Sequence, residues 1–360
     1  MFKESGPEFR VVGGAPEEKK EEIKLDLKER LYDGHLKNLG EDKIKTMEAA
    51  ELPKTPEELA VIDLANQKNK EFMERAGISP YDVPAKNFHI VKPDFYTKEI
   101  NPGGKYRAIA SQANQVVVLN DSSVRTEDDP FGFGVTAFHE LRHISSHYAI
   151  EAQEDIKDGN KRTRYSDFRG GLKMYSSQMS DKKGEEHEHF RGLNEVVTDY
   201  REKSFLDEMM KLPQFEKERA HMSSPEIEAI KKEIAMSKGV PEDYIYWVSP
   251  KNQEGERSFC STSYVFQRKV LELIMNEAQK EFPDKYGSAE DVFLEFEKAN
   301  YTGKILSIAR LVEDLFGEGS FRILGTMGED RQTSMQTLEQ FRKMRGARVN
   351  SNKGSKETQP

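Results

Sequence analysis

The chain has one cysteine, Cys260, among 360 residues. No intramolecular disulfide can form and no thiolate cluster can bind a metal, so any ion must be held by His, Asp or Glu. No stretch of about 18 apolar residues occurs, so no membrane-spanning helix and no membrane partner are expected. The opening MFKESGPEFRVVGGAPEEKKEE contains no apolar run of signal-peptide length, and a soluble, cytoplasmic protein is the expectation. A cationic surplus is missing too. The net charge of -9 argues against general nucleic-acid binding, which needs Lys and Arg in excess to meet phosphates.

Apolar residues make up 36% of the chain, enough for a core if they are patterned. They are unevenly spread. Residues 1–54 alternate Lys and Glu runs with scattered apolar positions, which predicts a mobile or solvated helical extension. Thr55, Pro56 and Glu58 then read as a helix start, followed by Leu59, Ile62 and Leu64 and ending near Gly77. Residues 88–93 and 106–120 have the short β-branched character of strands, with a turn at 101–104 between them. From Phe133 to about Ile150 the pattern is helical, with Ala137, Leu141, Ile144 and Tyr148 on one stripe. Two strands are expected within 162–190, a helix from Asn194, and helices near 224–238, 261–281, 289–299 and 303–316. Residues 328–360 are polar and read as a largely disordered tail, leaving 55–327 as the folded domain.

His139-Glu140-Leu141-Arg142-His143 is an HExxH pattern on one of those helices. At 3.6 residues per turn the two imidazoles share a face and can meet one zinc ion, Zn2+. Glu140 beside them is placed to hold a water by hydrogen bond and act as general base. A catalytic zinc commonly takes a third protein ligand. His147 lies two turns from His139, about 11 Å along an unbroken helix and out of reach. His187 and His189 stand in a charged, strand-like EEHEH segment. A further histidine six residues after His143, with glycine three after it, would mark a metzincin, but those positions are Ala149 and Ser146. Glu195, in Asn194-Glu195-Val196-Val197-Thr198-Asp199, is the fourth candidate, though an acidic turn near a helix start is also ordinary.

HELRH followed by NEVVTD resembles the gluzincin metallopeptidases, the group that includes thermolysin. The resemblance implies that Glu195 is the third zinc ligand and that Asp199, one turn later on the same face, hydrogen-bonds His139 or His143 and fixes its tautomer. It implies an α+β, zincin-like fold: a small sheet packed on the active-site helix, with a helical C-terminal subdomain. It also implies that an edge strand before that helix pairs with an extended peptide, a place filled here by Gln115 to Asn120 unless that strand is buried. A tyrosine from the helical half would steady the tetrahedral intermediate; Tyr264, on a stripe with Arg268, Leu271 and Met275, comes first and Tyr301 second. The specific motifs occupy two short windows, and the insert between His143 and Glu195 is longer than in thermolysin.

The expected activity is zinc-dependent hydrolysis of a peptide or protein substrate. Zinc amidohydrolysis of a non-peptide amide is an alternative; the peptide deformylases also use HExxH, but with a cysteine upstream of the motif, whereas Cys260 lies downstream. A non-catalytic peptide-binding scaffold is another, against which the presence of Glu140 speaks.

Overall fold

A computed structural model describes residues 7–34, 41–157, 160–176 and 187–356. The protein is mixed α/β, rich in helix, with three small sheets. No helix among the described residues is long and apolar enough to cross a membrane.

The helix Pro56–Arg75 begins as its sequence dictates: Thr55 accepts from the Glu58 N–H, and the Glu58 carboxylate accepts from the Thr55 N–H. That reciprocal cap satisfies two donors that a helix start otherwise leaves open. It packs on the helix Gly132–Ser145, which carries the HELRH motif and, as the candidate active-site helix, is called the active-site helix below. Gly134 lets the two helices approach, since a β-carbon there would meet Met209 and Val61.

The sheet beside them runs in the order Glu51–Leu52, Phe88–Val91, Val116–Asn120, Ala108–Ser111. Phe88, Ile90, Val117 and Leu119 from the sheet and Ala137, Phe138, Leu141 and Ile144 from the active-site helix form one core. The small sheet therefore does pack on that helix. The run 106–120 splits into two strands at Gln112 to Gln115, where Gln115 adopts a left-handed φ of 56°. Val116–Asn120 is not the edge strand that the resemblance implied. It lies inside the sheet, parallel to Phe88–Val91 and antiparallel to Ala108–Ser111, because an apolar VVVL run is stable only with both faces covered. The edge belongs to Ala108–Ser111.

The active-site helix stops at Ser145 rather than near Ile150, and Tyr148–Lys157 leaves as a strand. This strand pairs with Asn160–Gly170 and, on its other side, with Phe9–Val12. Lys173–Ser176 and His187–His189 complete that sheet; the polar loop of residues 180–186 lies outside the described residues. Beyond it, the helices Arg191–Asp199, Val265–Glu281, Ala289–Thr302, Leu306–Phe316 and Arg331–Lys356 surround a second core that includes Leu193, Val197, Leu271 and Phe296.

Both chain ends depart from expectation. The segment read as a solvated extension contributes Phe9, Leu27 and Leu31 to buried positions, and its helix Glu17–Asp33 places Arg30 against the Ala113 carbonyl at 2.8 Å. The segment read as a disordered tail is a helix through Lys356. Leu338 and Phe341, three apart, bury one face of it, and Phe341 stacks on Phe316 at 4.4 Å. Low average hydropathy hid this narrow stripe, which is sufficient to dock a helix on an existing core. Replacing Phe341 with alanine should cost about 3–5 kcal/mol in urea denaturation, against less than about 0.5 kcal/mol for exposed Lys343→Ala. Equal midpoints for the two variants would show that the terminal helix is not part of the cooperative fold.

Candidate metal centre

The two histidines leave the active-site helix one turn apart and meet a carboxylate from the second core. His139 Nε2 and His143 Nε2 are 3.0 Å apart, and Glu195 Oε2 lies 3.2 Å from His143 Nε2 and 3.4 Å from His139 Nε2. Three donors each about 2.1 Å from a tetrahedral ion would stand about 3.4 Å from one another, so the spacing fits one cation held by all three. His139, His143 and Glu195 form a group that could hold a metal ion.

Several contacts aim these side chains. The His139 Nδ1 lies 2.7 Å from Glu202 Oε1; a proton there leaves Nε2 with its lone pair turned toward the cluster. On the other ring, His143 Nδ1 faces Asn194 Nδ2 at 3.4 Å. Glu195 also accepts from the Tyr264 hydroxyl at 3.0 Å, and the Tyr264 ring stacks on His139. Burial opposes ionisation of both partners, yet Glu195 and Glu202 outweigh it to raise the His139 pKa well above the usual imidazole value, while His143 and His139 hold the Glu195 carboxyl well below the usual range. A cation at this point would take over that charge balance.

Asp199 does not orient a histidine. It is fully buried and accepts from Arg268 Nε at 3.1 Å and from Nη2. The helix Arg191–Asp199 ends at Tyr200, and the chain restarts as Glu202–Met209, so the residue that reaches His139 is Glu202, seven beyond Glu195. Two helical turns bring residue i+7 back to nearly the face of residue i, so the spacing of Glu202 from Glu195 is itself compatible with this role. Arg268 is buried as the partner of Asp199.

Tyr264 is at the site, though not on the expected helical stripe. It precedes the helix Val265–Glu281 with a left-handed φ of 53°, a conformation disfavoured for a bulky residue. Phe190, immediately before the Glu195 helix, is similarly left-handed at 61°. Gly192 in the next turn admits the carbonyls of Met327 and Gly328 where any β-carbon would stand, and its N–H donates to Met327 at 2.9 Å. Tyr301 is elsewhere: its hydroxyl donates to Asn69 in the first core at 2.7 Å. His147 is off the helix, its backbone N–H on the Asn300 carbonyl, and burial pushes its pKa down to about 4. His189 is exposed, and the His187 side chain lies outside the described residues.

Glu140 is beside the cluster but not in it. Burial raises its pKa against the opposing pull of His139 and His143. No protein-family model, no curated protein and no solved structure matches this chain. The geometry alone therefore carries the reading. Glu202→Ala should weaken divalent-metal affinity about 10- to 100-fold, measured by competition with a chromophoric chelator; unchanged affinity would mean that Glu202 does not orient His139.

Proposed function

We propose that this protein is a zinc-dependent peptidase of zincin-like architecture, with His139, His143 and Glu195 as the metal ligands. The observation that carries the reading is the placement of Glu140: a half-buried carboxylate next in sequence to one ligand, His139, and outside the three-donor cluster. Two imidazoles and one carboxylate suit zinc and leave a coordination position open. The same donor set serves ferrous iron in some oxygenases, but an adjacent base of raised pKa favours hydrolysis. Calcium and magnesium prefer all-oxygen sites.

Held by His139, His143 and Glu195, a zinc ion would supply Lewis acidity to the scissile carbonyl and to a water. The chain's own residues supply the proton movements. Glu140 accepts a proton from the attacking water and passes it to the leaving amine nitrogen. Its raised pKa brings it closer to neutrality, where a residue that must first take and then give a proton is most effective. The Tyr264 hydroxyl, turned toward the ligand cluster and kept protonated by burial and by Glu195, is placed to donate to the carbonyl oxygen as negative charge develops there.

Glu140→Gln should retain one zinc per chain by elemental analysis and lose hydrolysis of a peptide library that the wild type cleaves. Cleavage at the wild-type rate by that variant would remove Glu140 from the mechanism, and zinc without any cleavage by the wild type would favour a binding protein. Separately, Tyr264→Phe removes only the hydroxyl. Its kcat should fall roughly tenfold or more with zinc content unchanged, and an unaltered kcat would exclude Tyr264 as a donor.

A further inference from the structure

The edge strand Ala108–Ser111 is short, and its unpaired side is shorter still. The Asn120 N–H donates to the Arg107 carbonyl, and the register continues Ala108↔Leu119, Ile109↔Val118, Ala110↔Val117, Ser111↔Val116. Antiparallel pairing alternates, so Arg107, Ile109 and Ser111 turn their backbone groups inward, and only Ala108 and Ala110 turn theirs outward.

Both ends of this edge are closed. After Ser111, the Gln112 side chain donates from Nε2 to the His143 carbonyl at 2.7 Å and to Ser146 Oγ at 2.9 Å, fastening the strand to the end of the active-site helix. Before Ala108, Tyr106 reaches across to the other core. Its hydroxyl accepts from Arg191 Nη2 at 2.8 Å, and Arg191 Nε donates to Glu329 at 2.6 Å. Lys105 adds an ion pair to Glu329 at 3.5 Å, and Arg191 Nη1 donates to Glu188 at 2.7 Å. Arg191 stands one turn before Glu195 on the same helix, and Gly328, next to Glu329, accepts from Gln267 in the first turn after Tyr264, so this clamp is tied to both elements that bring Glu195 and Tyr264 to the site.

We propose that the Tyr106–Arg191–Glu329 clamp closes the substrate path at one end and restricts the site to short peptides and chain ends, excluding internal bonds of long chains. This rests on the peptidase reading above. An extended chain adding to a sheet edge needs a row of outward backbone groups, and two residues flanked by fastened side chains offer room for about two substrate residues at 3.3 Å each. A longer chain would have to pass through the clamp. Tyr106 belongs to the sheet side, whereas Arg191 and Glu329 belong to the side of the second core, so the clamp spans the path.

The test reads binding, so it does not depend on turnover. Zinc-loaded Glu140→Gln protein is equilibrated with two mixed synthetic libraries, tetrapeptides with free ends and dodecapeptides acetylated and amidated, and the retained peptides are weighed by mass spectrometry. Tetrapeptides should be retained about tenfold or more over blocked dodecapeptides, and adding Tyr106→Phe with Glu329→Gln should reduce that preference to about twofold or less. Equal retention of the two libraries, an unchanged preference in the unclamped variant with zinc content intact, or retention of neither library would each overturn the inference. Hydrolysis by the wild type is followed in parallel: a binding preference without any hydrolysis would sink the peptidase reading and leave the clamp standing.

Discussion

The buried carboxylate of Glu297 holds the two ligand-bearing helices in register. Arg142, inside the HELRH motif and fully buried, donates to Glu297 at 3.0 Å and to the Thr198 carbonyl in the last turn of the Glu195 helix, also at 3.0 Å. Arg201 donates to both Glu297 oxygens at 2.9 Å. Phe72 lies under both guanidiniums at 5.0–5.4 Å. One carboxylate thus faces two arginines, and Arg201 finds a further carboxylate in Glu290 at 2.6 Å. Breaking such a buried set strands a charge and costs about 3–5 kcal/mol, far more than a surface pair contributes. Because Arg142 immediately precedes His143, and Thr198 follows Glu195 within a turn, the same contacts that join the cores also set the His143 to Glu195 separation.

Around this hub the local backbone is held in conformations that a free chain avoids. Phe190 and Tyr264 both take left-handed φ at the starts of helices that border the metal centre, and Gly192 accepts carbonyls at distances no side chain allows. Conformations of this kind persist only where the surroundings over-determine them. Here the surroundings are the Glu195 helix, the turn at Met327 and Gly328, and the Gln267 side chain, which donates to the Gly328 carbonyl at 3.0 Å. The terminal helix starts directly after that turn, which explains why a polar C-terminal segment is folded.

The N-terminal segment has a comparable role on the opposite side. Phe9–Val12 extends the sheet that begins just after the active-site helix, and the Asn87 side chain donates to the Leu31 and Gln115 carbonyls, tying the first helix to the sheet. The small sheet, the active-site helix and both chain ends therefore brace one another. The candidate metal centre, His139, His143 and Glu195, lies where the two cores meet.

Much of this was legible in the sequence because it depends on local geometry. Two histidines four apart on a helix must share a face; Thr55 and Glu58 must cap each other when Pro56 follows; alternating and β-branched runs must find a sheet. Glu195 was legible as a candidate by its likeness to a known second motif, and the structure brings it to the histidines. What the sequence could not decide was every partner chosen across the fold. Glu202 rather than Asp199 reaches His139 because one helix ends and another begins between them, and Asp199 instead meets Arg268 because burial leaves each needing an opposite charge. Val116–Asn120 is interior and Ala108–Ser111 is the edge because pairing order is a property of the whole sheet. Tyr264 and Tyr301 are the same side chain in the sequence; only the packing of two cores put one hydroxyl on Glu195 and the other on Asn69.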